Sequence, residues 1–400
     1  MKRSTDRILV SHAGTLPRPD DLRDMLAAGE SQRDAFFKRL PSAVQEVVDK
    51  QVATGIDVVN DGELGKIGGF SGYPRERLGG LELRQFKTGE GPAPHDVQGR
   101  DKRDFPGFGA LGFPARLGGG GTTGGGGGGG ATMNRDGTRT MVFCTAPITF
   151  TGKAQVEQDI AHLKAATAGQ NVEPYLPAVA PGTMEHWLRN EYYKSDEEFL
   201  FAIADAMAEE YEMIAKAGFI LQIDDPDLPD GWQMFPDMQV DEYRKYADLR
   251  VEALNHGLRN VPIEQIRFHT CWGSQHGPHM ADIELSDIID LIFKVKAECY
   301  SVEAGNPRHD ADWRVFESVK LPDGKSYMPG VISHVSNHIE HPELVAQRLQ
   351  QYAALMGKEQ VIAGTDCGMG SRVGHAEVCW AKFDAMVAGA KIASDRLWNR

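Results

Sequence analysis

The sequence predicts an α/β protein: a single (β/α)₈ barrel of the TIM type, carrying a long glycine-rich insertion. Three observations predict it. Short apolar or β-branched runs alternate with longer amphipathic stretches along most of the chain, the pattern of parallel strands joined by crossover helices. Eight such runs stand out, the number that closes a barrel. The length of 400 residues accommodates a barrel with insertions as one unit.

In chain order the strands are expected at 8–13, 56–61, 141–148, 219–224, 266–271, 300–304, 328–333 and 361–365. A ninth extended run, 175–180, has Pro174, Pro177 and Pro181 in or beside it. Proline removes ladder donors, so this run is expected to pack over the barrel rather than join it. Helices are expected at 197–217, 240–255, 286–296, 342–356 and 375–393; the first ends at Gly218 and begins behind Ser195 or Asp196 as cap. After Leu117 the chain runs almost entirely in glycine to Gly130, and the wider stretch 83–139 is rich in Gly, Pro and charge. It is expected to be an insertion, either a lid or a disordered loop. Neither side of it would close a barrel alone, so 1–400 is expected to be one domain.

A hydrophobic fraction of 41% and a charged fraction of 25% are those of a soluble globular protein, and no apolar run approaches the roughly eighteen residues of a membrane span. The N-terminus shows no signal-peptide core, so a cytoplasmic location is expected. The net charge of −14, with no basic stripe, argues against nucleic acid as a partner. A homo-oligomer is left open. Cys144, Cys271, Cys299, Cys367 and Cys379 are odd in number and scattered, so reduced thiols are expected rather than a disulfide framework. Any one of them read alone is a small buried hydrophobe.

Two of these cysteines have informative surroundings. In Phe268-His269-Thr270-Cys271-Trp272-Gly273, residues two apart near a strand end point the same way, so His269 and Cys271 reach one point in space. At the C-terminal end of a barrel strand that point lies over the catalytic mouth. The apolar strand 361–365 leads into Asp366-Cys367-Gly368, which brings a second sulfur to the same mouth. His269, Cys271 and Cys367 form a donor set suited to Zn²⁺ and poorly suited to Mg²⁺ or Ca²⁺. Glu303, closing an otherwise apolar strand, would be a fourth ligand or would pair with Arg308 or Arg372. Zinc held by two thiolates favours a further thiolate, which predicts alkyl transfer to sulfur.

The motifs Gly14-Thr15-Leu16-Pro17, Asp61-Gly62-Glu63, Ala146-Pro147-Ile148-Thr149, Gln222-Ile223-Asp224-Asp225-Pro226, His269-Thr270-Cys271, Val302-Glu303, Pro329-Gly330-Val331 and Asp366-Cys367-Gly368, in this order, resemble the catalytic barrel of cobalamin-independent methionine synthase. The resemblance implies zinc on His269, Cys271, Glu303 and Cys367. It also implies homocysteine with its amino group on Glu63 and Asp224, and Thr15 among the substrate-binding residues. His334 stands one position away from the family's proton donor. In a regular strand that displacement turns it to the other face, which would leave the role to His338. The chain is also similar in size, and in its His-x-Cys-Trp, to epoxyalkane:coenzyme M transferases. On that resemblance Arg18, Arg308 and Arg372 would hold a sulfonate or carboxylate of the thiol. The leading expectation is zinc-dependent methyl or alkyl transfer to a small thiol such as homocysteine. The alternatives are epoxide opening by coenzyme M, a decarboxylase of the uroporphyrinogen type, and a non-catalytic thiol or zinc carrier.

Overall fold

The computed structural model describes residues 1–87, 89–110, 131–133, 138–370 and 372–400; the glycine run after Leu117 lies outside the described residues. Eight parallel strands surround the core: β1 (Leu9–Val10), β2 (Val58–Val59), β3 (Glu173–Val179), β4 (Ile220–Asp224), β5 (Ile266–Thr270), β6 (Cys299–Val302), β7 (Ser326–Ile332) and β8 (Ile362–Thr365). From β2 to β8 each strand pairs with the next, and β8 pairs with β1. The remaining seam is closed by the Asp57 N–H donating to the Val10 carbonyl at 2.9 Å and the Ser11 hydroxyl donating to the Val58 carbonyl at 3.1 Å. The result is a nearly closed α/β barrel.

Two strand expectations are corrected. The run 141–148 is not a barrel strand. It belongs to Thr138–Phe150, which pairs antiparallel with Leu78–Lys87 in a second sheet completed by Ala131–Met133 and Leu188–Asn190. Met141 to Cys144 are buried, so the apolar pattern reports true burial, but it does not reveal which strand is the partner. The run 175–180 takes the vacant barrel position as β3. The Glu173 N–H bonds to the Asp57 carbonyl, so by alternation the odd-numbered backbone groups of β3 face β2. Pro177 therefore faces β2 beyond its end at Val59, and Pro174 faces β4 one residue before their ladder begins at Tyr175. Neither proline removes a bond the ladder needs. Pro181 opens the helix Pro181–His186, a position that requires no N–H.

The five expected helices form, as Asp196–Lys216, Val240–Gly257, Leu285–Lys294, Pro342–Met356 and Ala376–Leu397, and two further helices outside those expectations are Arg33–Thr54 and Lys153–Ala166. The Ser195 hydroxyl accepts from the Glu198 N–H at 3.1 Å, and His375 Nδ1 accepts from the Glu377 N–H at 3.2 Å, capping two of them. One continuous apolar core joins these helices to the strands. Part of the insertion reaches the mouth. The Asp101 carboxylate accepts from the His279 and Ala281 N–H groups, both at 3.0 Å, and Arg100 donates to the carbonyls of Trp232, Phe235 and Met238. Residues near 100 thus bind the loops after β4 and β5 together. Among the described residues no helix is long and apolar enough to cross a membrane.

Candidate metal centre

The ends of β5 and β8 bring three soft or borderline donors together. Ligand atoms of His269, Cys271 and Cys367 all lie within 4.8 Å of one another. His269 lies in register with Asp224 on β4 and Ser301 on β6, so the three form one layer across the sheet. Ser301 Oγ lies 3.1 Å from His269 Nδ1, which orients the ring. Among the described residues His269 Nε2 is buried without a hydrogen-bond partner. Burial works against the charged imidazole, yet its interactions with Cys367 and then Asp224 outweigh it and raise its pKa. The two thiols are driven apart: the proximity of each to the other is the largest influence on both, pulling Cys367 well below the usual thiol range and pushing Cys271 well above it.

Glu303 lies in a neighbouring group. Its ligand atom is within 4.8 Å of those of His334 and Asp366, all three residues being fully buried. Glu303 Oε2 accepts from the Trp272 N–H at 2.8 Å and Oε1 from Asn306 Nδ2 at 3.1 Å. Its charge reaches the triad, since it contributes to the raised pKa of Cys271. His334 is at the mouth, contrary to the alternation expectation. The β7 register slips between Gly330 and Ile332 against β8, and the strand ends at Ile332. A one-residue bulge changes the parity of the pleat, and past the strand no parity holds. His334 Nε2 lies 2.9 Å from Ser274 Oγ, which is 3.9 Å from Cys367 Sγ. Burial is the main influence lowering its pKa, so the ring is neutral. His338 is exposed, against Ser336, and is not part of this group.

The third part of the mouth is carboxylate-rich. Glu63 Oε1 accepts from the Thr15 hydroxyl at 3.0 Å, and Oε2 pairs with Lys66 Nζ at 2.9 Å. Asp224 Oδ1 accepts from Gln222 Nε2 at 2.7 Å, and burial raises this carboxyl to about 7. The three arginines divide. Arg18 donates to the carbonyls of Glu63, Leu64 and Lys66, bracing the loop after β2, and Arg308 pairs with Glu284 at 2.7 Å on the surface. Both guanidiniums are engaged by the chain's own groups. Arg372 is half-buried, and its charge lowers the pKa values of His276 and His334.

Sequence reasoning missed Asp366, Ser274 and Lys66. Asp366 Oδ1 accepts from the Ala304 and Gly305 N–H groups at 3.0 and 2.6 Å, tying the end of β8 to the residues after Glu303. Nothing in one sequence announces that contact. For Lys66 the signal was present, because it stands three residues after Glu63 in a turn.

Residues 145–392, more than half of the chain, match the family model of the cobalamin-independent synthase catalytic domain. The chain belongs to that family. Within it, a methionine synthase of Thermococcus kodakarensis is 25% identical over 223 residues, 56% of this chain and 58% of that one. One of Sulfurisphaera tokodaii is 24% identical over 228 residues, with the same coverage. The match thus spans little more than half the length of these family members. The fold is shared with a B12-independent methionine synthase from Shewanella sp. W3-18-1 in complex with selenomethionine, at TM-score 0.70 and 20% identity over 98% of this chain and 100% of that one. A putative vitamin-B12-independent methionine synthase from Listeria monocytogenes aligns at TM-score 0.63 and 17% identity, covering 96% of this chain and 98% of that one.

Proposed function

We propose that the chain is a zinc-dependent enzyme that transfers a methyl or alkyl group to a small thiol, the reaction class of cobalamin-independent methionine synthase. The observation that carries this reading is the His269–Cys271–Cys367 set, whose buried His269 Nε2 has no hydrogen-bond partner among the described residues. An imidazole nitrogen and two sulfurs are zinc donors, and a three-residue set leaves a position for substrate. When bound, zinc supplies the charge that lowers a substrate thiol's pKa from about 8.5, so that the sulfur is nucleophilic at neutral pH.

The chain's own residues do the rest. Ser301 keeps His269 Nε2 directed at the sulfurs by holding Nδ1. Glu303, held by the Trp272 N–H and Asn306, is the proposed fourth donor, whose place an arriving thiol would take or share. His334, linked through Ser274 to Cys367, is the proposed proton donor to the alkyl donor's leaving group; it gives the proton from its imidazolium form, which burial makes a stronger acid. The described residues near Asp101, which bind the mouth loops, support a cover formed by that part of the insertion on a single zinc barrel spanning 1–400. Five free thiols fit a reducing compartment, the cytoplasm.

The acceptor implied by the family is homocysteine, and coenzyme M is the alternative. Arg18 and Arg308 do not support a sulfonate site, since both are engaged elsewhere. A decarboxylase reading leaves the two mouth sulfurs without a role. Cobalt(II) substitution tests the thiol-holding reading. A sulfur-to-metal charge-transfer band of two-thiolate strength, growing when a small thiol is added, is expected; a spectrum without such a band contradicts the reading.

A further inference from the structure

Of the two carboxylates assigned to an amino group, Glu63 is already paired with an ammonium of the chain itself. Lys66 is buried, with Nζ 2.9 Å from Glu63 Oε2, 2.8 Å from the Pro177 carbonyl oxygen and 5.0 Å from the centre of the Tyr73 ring. The other oxygen of Glu63 and one oxygen of each neighbouring carboxylate are also engaged. Glu63 Oε1 takes the Thr15 hydroxyl, Asp61 Oδ1 takes the Glu63 N–H at 2.9 Å, and Asp224 Oδ1 takes Gln222 Nε2. The Gln222 amide has one orientation available. Its oxygen accepts from Arg267 Nε at 2.7 Å, and arginine has no acceptor, so the NH₂ group must face Asp224.

The backbone is shaped to keep this arrangement. Glu63 has a φ of 55°, in the left-handed region that a non-glycine residue adopts only where the surroundings impose it. Gly14, with a φ of 141°, leaves room that a methyl group would take from the Glu63 carboxylate. An ammonium arriving from outside would meet a buried cation at the group meant to receive it. In a poorly solvated site that juxtaposition is costly.

We propose that Lys66 fills the ammonium subsite of the mouth, so that the acceptor is a small thiol without an α-ammonium group, anionic or neutral at its far end. The class includes mercaptocarboxylates and mercaptosulfonates and excludes amino-acid thiols. This inference rests on the reading of His269, Cys271 and Cys367 as the holder of the substrate sulfur.

Homocysteine and 4-mercaptobutyrate differ only by the amino group and make a matched pair. The zinc-loaded chain is titrated with each by calorimetry, with proton release followed in buffers of different ionisation enthalpy. The wild-type protein is expected to bind 4-mercaptobutyrate at least about tenfold more tightly than homocysteine. Lys66→Arg, which keeps the cation, retains that preference, and Lys66→Met, checked for folding by circular dichroism, reverses it. Equal or tighter binding of homocysteine by the wild-type protein overturns the proposal, whatever the variants do. An unchanged ratio in folded Lys66→Met also overturns it. If neither thiol binds the wild-type protein with proton release, the thiol-holding reading fails first, and this inference falls with it.

Discussion

The two sides of the barrel mouth differ in how complete they are. On the β5–β8 side, His269 presents a buried Nε2 without a partner among the described residues, beside two sulfurs of opposite pKa tendency. On the β2–β4 side, Glu63 and Asp224 are paired by Lys66, Thr15 and Gln222. Buried polar groups are expensive to leave unsatisfied, so an unsatisfied side marks where something from outside belongs. A satisfied side holds its shape without help. On the proposed reading, the sulfur side is the one that metal and substrate complete, and the carboxylate side is a wall whose charge selects what enters.

Removing a donor breaks the comparison most severely. Cys271→Ala is expected to lose zinc affinity by more than about a hundredfold, beyond the 10–100-fold typical of groups that only orient a ligand, and to abolish alkyl transfer; chelator competition measures it. Retained affinity would mean that the sulfur side is not the metal side. On the carboxylate side, Glu63→Gln leaves the Lys66 ammonium buried without its partner. Stability should fall by about 3–5 kcal/mol, read by denaturant unfolding, and combining it with Lys66→Met should recover most of the loss. A smaller step is Gly330→Ala, whose methyl would overlap the Asp366 carboxylate and crowd its backbone. The cost should be about 1–3 kcal/mol, and a variant as stable as wild type in thermal unfolding would show that Asp366 is not held as described. Ser301→Ala, which frees His269 Nδ1, should weaken zinc by about tenfold with little change in stability.

The smallest effect concerns Asp227, three residues past Asp224. Burial pushes the Asp227 carboxyl from its ordinary 3.8 up to about 8. Between those values the folded chain holds a proton that the unfolded chain has lost, so this group's contribution to stability falls as pH rises from about 4 to 8. Asp227→Asn should flatten that fall, gaining about 1 kcal/mol or more at pH 8 relative to pH 4. A variant whose stability keeps the wild-type pH slope would remove Asp227 as its source.

The sulfur side was the more legible in the sequence, for a physical reason. A His-x-Cys at a strand end is a local pattern, and strand periodicity alone turns both side chains toward one point. Cys367 needed only the further step that barrel strands end on one face. The carboxylate side depends on contacts between loops, such as Arg18 with the carbonyls after β2 and Gln222 between Arg267 and Asp224, which no local pattern encodes. The same limit explains the strand exchange. Apolar alternation marked Met141–Cys144 as buried, but partner choice placed them in the second sheet, and the prolines of β3 are harmless only because of where its neighbours begin and end. His334 was misplaced because a bulge is invisible to periodicity.

The central claim is that the open side of the mouth is a zinc site, and metal content tests it most directly. The purified chain and its Cys367→Ser variant are saturated with zinc, desalted and measured by elemental analysis. About one zinc per wild-type chain, lost from a folded Cys367→Ser variant, is the predicted result. A wild-type chain that retains no zinc, or a variant that retains as much, would contradict the account.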